Sequence, residues 1–175
     1  MSIEREHPPL TVDGVVYDFA HLKAFSAAIP GKGVTPGTDL RIEVLFSNHV
    51  YTERAKHRQP HHTLDHHGVR RTFDGNRYEM SRMLPAAIAG CIAGNSLTHI
   101  SRSYGGTDNL IFIETGDGRQ WAVVYCLLPL EDGCSVRMDV LSCHPKVIDQ
   151  KSISRRSLSY FARMCIYAKA RIPKT

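Results

Sequence analysis

"NLIFIETGDGRQWAVVYCLLPLEDGCSVRMDVLS" runs from Asn109 to Ser142, and its reading decides the fold. Three runs rich in branched and aromatic residues, Asn109–Thr115, Arg119–Leu130 and Cys134–Ser142, are split by Gly116-Asp117-Gly118 and Glu131-Asp132-Gly133. Branched and aromatic side chains suit a pleated, half-buried surface, and short Gly/Asp linkers suit tight hairpins. A fourth run, Leu97–Tyr104, joins the first through Gly105-Gly106-Thr107-Asp108. Linkers this short cannot carry a helical crossover, so the four runs are expected to form an antiparallel meander.

Upstream, Asn76–Gly94 reads as the main helix. Met80, Leu84, Ala87, Ile88 and Cys91 recur at three- and four-residue steps, Asn76 can cap the start, and Gly94-Asn95 can end it. Pro85 removes a backbone hydrogen bond, so a kink or a fresh start is expected there. Leu40–Phe46 alternates like a strand, Thr11–Phe19 reads as a short strand after an Asp-Gly turn, and Ile29–Asp39 is a Gly/Pro loop. Ser47–Asn76 has no sustained period and reads as short helical turns and loop. Ser152–Ile172 reads as a helix capped by Ser152 or Ser154, with Leu158, Phe161, Cys165 and Ala168 inward, or as a strand near Lys151–Ile153 followed by a basic helix. The expected architecture is one α+β domain over residues 1–175, its main helix packed on a curved antiparallel sheet of four to six strands. Residues 1–10 are expected to fray, and residues 150–175 to form a basic C-terminal segment.

At 175 residues and 42% hydrophobic, the chain can bury one proper core. It carries neither a long apolar run nor an apolar leader, so a cytoplasmic protein away from membranes is expected. Five cysteines without CxxC spacing suit reduced thiols. Cys91, Cys126 and Cys165 sit among apolar neighbours, whereas Cys143 has a polar setting beside His144. The net charge of +5 is concentrated after Asp149, where Lys151, Arg155, Arg156, Arg163, Lys169, Arg171 and Lys174 meet no acidic residue. Such clustering suits RNA or another polyanion, or an acidic protein partner, with Arg155, Arg156, Arg163 and Lys169 as the binding cations. Tyr160, Phe161 and Tyr167 among them could stack bases.

Six of the ten histidines fall between Phe46 and Arg71. Three chemistries are open to them. Acid–base catalysis without a metal would use His49, which follows a strand among Ser47, Asn48, Tyr51 and Arg54, with His144 as its complement. Arg54 and Arg71 would hold a phosphate, and Tyr78 opens the main helix beside them. A metal site, zinc by ligand type, would draw on His62, Asp65 and His66, because Pro60 interrupts any helix joining His57 to His61. The third possibility is a polar loop in a non-catalytic module that binds nucleic acid or protein through the basic tail.

"VLFSNHVYTER" resembles the strand and Ser-x-His…Arg opening of the barnase–EndoU–colicin–RelE-like ribonuclease and toxin group. The order of helix and meander from Asn76 to Ser142 is similar as well. That resemblance implies a curved antiparallel sheet, RNA cleavage by side chains without a metal, and roles for His49 and Arg54. The chain is longer than those toxins, and the strand and loop before Leu40 have no counterpart in them. It also looks like proteins of bacteria and prophages that pair "YDFAHL" with "FSNHVYT" and "NRYEMSRMLP".

Overall fold

A computed structural model describes residue 3 and residues 5–65, 67–104, 107–116, 119–145 and 155–174. Strands β1 (Leu10–Val12), β2 (Val15–Tyr17), β3 (Phe25–Ile29) and β4 (Leu40–Phe46) come first. Next are β5 (Thr52–Arg54), β6 (Thr63–Leu64), β7 (Arg70–Phe73) and the helices α1 (Gly75–Ser81) and α2 (Leu84–Ala93). The chain continues with β8 (Leu97–Tyr104), β9 (Thr107–Gly116), β10 (Arg119–Pro129), β11 (Val136–Pro145), β12 (Arg155–Ser157) and α3 (Leu158–Ala168).

The expected meander is present as β8-β9-β10-β11, each pair antiparallel. The sheet around it is larger and mixed, which corrects the expectation of four to six antiparallel strands. Its order is β12-β8-β9-β10-β11-β4-β3, seven strands in all. β4 lies parallel to β11, with Ile42 opposite Val136 and Phe46 opposite Val140, and β3 is antiparallel to β4. A parallel pairing between distant segments leaves no hairpin signature, so local sequence cannot announce it. An irregularity on β11 between Val140 and Ser142 shifts the register against β10, and Cys143 rejoins Val140 in the main core. Cys143 is therefore a core residue, not the polar-set cysteine expected.

One face of the sheet meets the helices. α2 packs on β3 and α3 on β10 and β11, enclosing Leu22, Leu40, Ile42, Phe46, Leu84, Ile88, Tyr125, Met138, Leu158 and Phe161. Within it Tyr125 stacks on Phe112 at 4.6 Å and donates its hydroxyl to Thr98 Oγ1 at 2.7 Å. A second, smaller cluster joins Ile111, Ala122 and Val124.

Pro85 does end one helix and begin another. It occupies the first turn of α2, where its missing N–H costs nothing. Asp74, not Asn76, caps α1, its carboxylate accepting from the amides of Asn76 and Arg77. The Asp13-Gly14 turn lies inside the expected first strand, both residues at positive φ (51° and 81°), and folds it into the β1–β2 hairpin. The stretch expected to be short helical turns and loop, Ser47–Asn76, has such a turn at Asn48–Val50 and also contains a three-stranded sheet of order β5-β7-β6. α3 begins at Leu158, later than expected, and Ala168 is exposed on it. The serines expected to cap it, Ser152 and Ser154, and the alternative strand at Lys151–Ile153 lie outside the described residues. Its first turn is capped from elsewhere: Asn95, left-handed at φ 47° just past α2, accepts from Ser159 N–H at 2.8 Å through its side-chain oxygen.

Several of the described residues before Leu10 contact the rest of the chain. Ile3 and His7 are buried, Arg5 pairs with Glu43 at 2.6 Å, and Ala24 N–H donates to the Arg5 carbonyl at 3.0 Å. His7 meets Tyr51 edge-on, with Nδ1 3.2 Å from the phenol oxygen. Burial drives its imidazole down to about 4; a backbone hydrogen bond at Phe46 opposes the shift and nearby His21 adds to it.

Two stability measurements follow. Asn95→Ala loses the cap and forces a side chain into the left-handed region, costing about 1–2 kcal/mol in urea unfolding. Asn95→Gly, which keeps that backbone at no steric cost, loses less. For His7, the unfolded imidazole takes up a proton near pH 6.5 and the folded one only near 4. Its contribution is therefore complete above pH 6.5 and is lost as the pH falls toward 4, by up to about 3 kcal/mol. His21 and His99, also lowered chiefly by burial, act in the same direction. Denaturant midpoints at pH 7 and pH 4.5 should differ less in His7→Gln than in the parent protein.

Candidate acid–base site around His49

Where β4 ends, Ser47 N–H donates to the Val140 carbonyl at 2.9 Å, one step past the last parallel pair. The chain then makes a single 3-10 turn over Asn48–Val50, with the Ser47 hydroxyl accepting from His49 N–H at 3.2 Å. Val50, Tyr51 and Thr52 are all buried. Tyr51 stacks on Phe19 with ring centroids 4.0 Å apart, and Thr52 Oγ1 donates to the Asn48 carbonyl at 2.6 Å. With its neighbours drawn inward, His49 stays at the rim, its side chain 27% exposed.

Two guanidinium groups strap this turn. Arg71 donates from Nη2 to the Thr52 carbonyl at 2.8 Å and from Nε to Thr52 Oγ1 at 3.0 Å. Arg77 donates from Nη1 to the same carbonyl at 2.9 Å and to the His49 carbonyl at 3.2 Å. Burial pushes the Arg71 guanidinium below its usual range; Asp65 and Glu53 oppose the shift, while Arg77 and Arg54 add to it. Arginine stays charged through such a shift. Arg71 and Arg77 thus form one charged group around a main-chain oxygen, the Thr52 carbonyl.

Asp65 orients the histidine. Its Oδ2 lies 3.0 Å from His49 Nε2, while Oδ1 accepts from the amides of His67 at 2.9 Å and Val69 at 3.0 Å. Asn48 Nδ2 ties the two segments together by donating to the Leu64 carbonyl at 2.9 Å. The Asp65 side chain is only 4% exposed. Burial alone would raise its carboxyl, but the Val69 and His67 amides and the His49 imidazole outweigh it and hold the group below its ordinary value. An ionised carboxylate only accepts hydrogen bonds, so Nε2 of a neutral His49 carries the hydrogen and Nδ1 is its basic nitrogen. A carboxylate on one ring nitrogen fixes the tautomer and orientation of the imidazole, the arrangement that general acid–base chemistry by histidine uses. In the sequence Asp65 drew notice only as a metal ligand, because a partnership across sixteen residues has no periodic signature.

The other expected site residues are distributed differently. Arg54 is exposed at the end of β5, directly opposite Arg71. Beside it, Ala55–Pro60 and Arg70 line an open depression of roughly 710 Å3, into which Lys56, His57, Arg58 and Arg70 bring basic side chains. Tyr78 belongs to an aromatic cluster with Tyr17, Phe19 and Phe73, and its hydroxyl donates to the Asp18 carbonyl at 3.0 Å. His144 stands on β11 opposite Ala122, half-buried. Arg155, Arg156 and Lys169 are exposed, whereas Arg163 reaches back to the Lys32 and Gly33 carbonyls at 3.0 and 3.1 Å.

Of the alternative metal set, His62 accepts the Phe73 amide at Nδ1 (3.0 Å) with the Thr72 hydroxyl 3.2 Å away, Asp65 is engaged as above, and His66 lies outside the described residues. Among the described residues no group of three or more His, Cys, Asp or Glu side chains is arranged to hold a metal ion. Also among them, no helix is long and apolar enough to cross a membrane.

No curated protein and no solved structure matches the chain. One family model does, over residues 9–168, a span reaching from the first hairpin through the His49 turn and the whole sheet to the end of α3. By that match the chain belongs to the YjaZ family.

Proposed function

We propose that this protein cleaves RNA by acid–base catalysis, with His49 as the proton-transfer group and Asp65 as the residue that orients it. The observation carrying this reading is the 3.0 Å contact between His49 Nε2 and the nearly buried Asp65 carboxylate. His49 Nδ1 takes the proton of a ribose 2′-hydroxyl, the freed oxygen bonds to the adjacent phosphorus, and the bond from phosphorus to the 5′ oxygen breaks. The departing oxygen takes a proton from a second acid, for which His144 is the candidate. Negative charge builds on the phosphoryl oxygens during the step, and cations near them lower the barrier. Arg70 supplies such charge one strand over from the end of β6 that Asp65 follows, about 5 Å in sheet spacing, and Arg54 stands a strand further, about 10 Å, with Lys56 and Arg58 around the same depression. The likeness of "FSNHVYTER" to the opening of metal-independent ribonucleases supports the same assignment.

Cleavage of a fluorophore-quencher RNA oligonucleotide by purified protein tests it. His49→Ala should slow turnover by about 10²–10⁴-fold. Asp65→Asn, which keeps the shape but loses the charge, should slow it by a smaller factor and shift the pH profile. His144→Ala should change the alkaline limb if His144 is the acid. Parent protein that does not cleave, or His49→Ala and Asp65→Asn variants as active as the parent, would sink the proposal.

A further inference from the structure

α3 carries an exposed ridge that packing does not explain. Leu158, Phe161, Ala162, Cys165 and Ile166 face the core. On the other side Tyr160, Met164 and Tyr167 are 47%, 40% and 67% exposed, at positions i, i+4 and i+7 of one helical face. The Arg156 guanidinium lies over the Tyr160 ring, 5.9 Å from its centroid. Arg155 and Arg156 stand exposed at one end of the ridge and Lys169 at the other, and residues 155–174 include no acidic side chain. Arg163, beside the ridge, is held by the carbonyls of Lys32 and Gly33, which fixes the helix against that loop.

We infer that this face of α3 is a stacking platform for single-stranded polynucleotide. The inference does not rest on the His49–Asp65 reading. The charge carried by residues 155–174 is of one sign, which calls for a polyanion, with Glu131 lining the depression at the Lys169 end. The shape selects among polyanions. A protein helix docking on apolar anchors needs a groove to receive them, whereas this surface is a convex row of side chains. Unpaired bases need only a ring face each, and phosphates need cations spaced along the path. Tyr160 and Tyr167 stand about 10 Å apart along the axis, and the helix is about 16 Å long. That length matches about five stacked nucleotides at 3.4 Å each. A duplex keeps its base faces covered and cannot use the rings.

Fluorescence anisotropy with a labelled 12-nucleotide oligouridine tests the platform, using His49→Ala protein as the host so that cleavage does not intrude. Tyr160→Ala and Tyr167→Ala should each weaken binding by about tenfold. Arg155→Gln, Arg156→Gln and Lys169→Gln should each flatten the slope of log affinity against log salt by about 0.7. A duplex of the same length should bind more weakly, and a poly-glutamate peptide should fail to compete at equal charge. Tyrosine variants that bind like the host, equal affinity for duplex, or effective competition by poly-glutamate would each overturn the inference. Since all the replaced side chains are exposed, loss of folding is not expected, and circular dichroism of each variant checks it. RNA cleavage abolished by His49→Ala with binding intact would separate this platform from the acid–base pair.

Discussion

The parallel pairing of β4 with β11 is the constraint on which the rest depends. It joins the N-terminal part of the chain to the end of the meander, and nothing local enforces it. Closing so long a loop costs entropy before any contact repays it. The return comes from the core, since Leu40, Ile42, Val44 and Phe46 are all buried once β4 is seated. It also decides where the candidate site stands. β4 stops at Phe46 while β11 runs on to Pro145, so the chain leaving β4 turns beside a strand that continues. The 3-10 turn bearing His49 occupies that step in the sheet.

Around the turn, polar groups are fixed at some cost. Desolvating a guanidinium or a carboxylate is unfavourable unless each finds partners. Here each does: Arg71 and Arg77 converge on one carbonyl, and Asp65 divides its two oxygens between backbone amides and an imidazole. The aromatic stack of Phe19 on Tyr51 closes the turn from the N-terminal side. A group held this way does not have to be ordered when another molecule meets it, which is what preorganisation of a polar site means.

Much of the fold was legible, because hairpins, prolines and alternation are local. The meander, the β4 limits and the break at Pro85 all follow from neighbouring residues. The small sheet was not legible: β5, β6 and β7 are two to four residues long, too short for alternation to register. The histidine-rich stretch offered several chemistries in sequence, and folding gives its members separate partners. His49 faces Asp65, His62 receives the Phe73 amide, and His57 lines the basic depression. His49 and Arg71 were legible as interesting residues, but their partners Asp65, Thr52 and Arg77 were not, since those contacts span between sixteen and twenty-eight residues of chain without any repeat. The spacing of Tyr160 and Tyr167 was visible, while their exposure depends on which helix face the sheet takes.

The centre of the charged group is a peptide oxygen. No side-chain replacement deletes it, so a comprehensive substitution map would outline it only by its satellites. Intolerance would appear at Arg71, Arg77 and the hydroxyl of residue 52, three places that look unrelated along the chain. Backbone chemistry would reach it directly: an ester in place of the amide after Thr52 leaves every side chain intact and weakens the one acceptor that both arginines share.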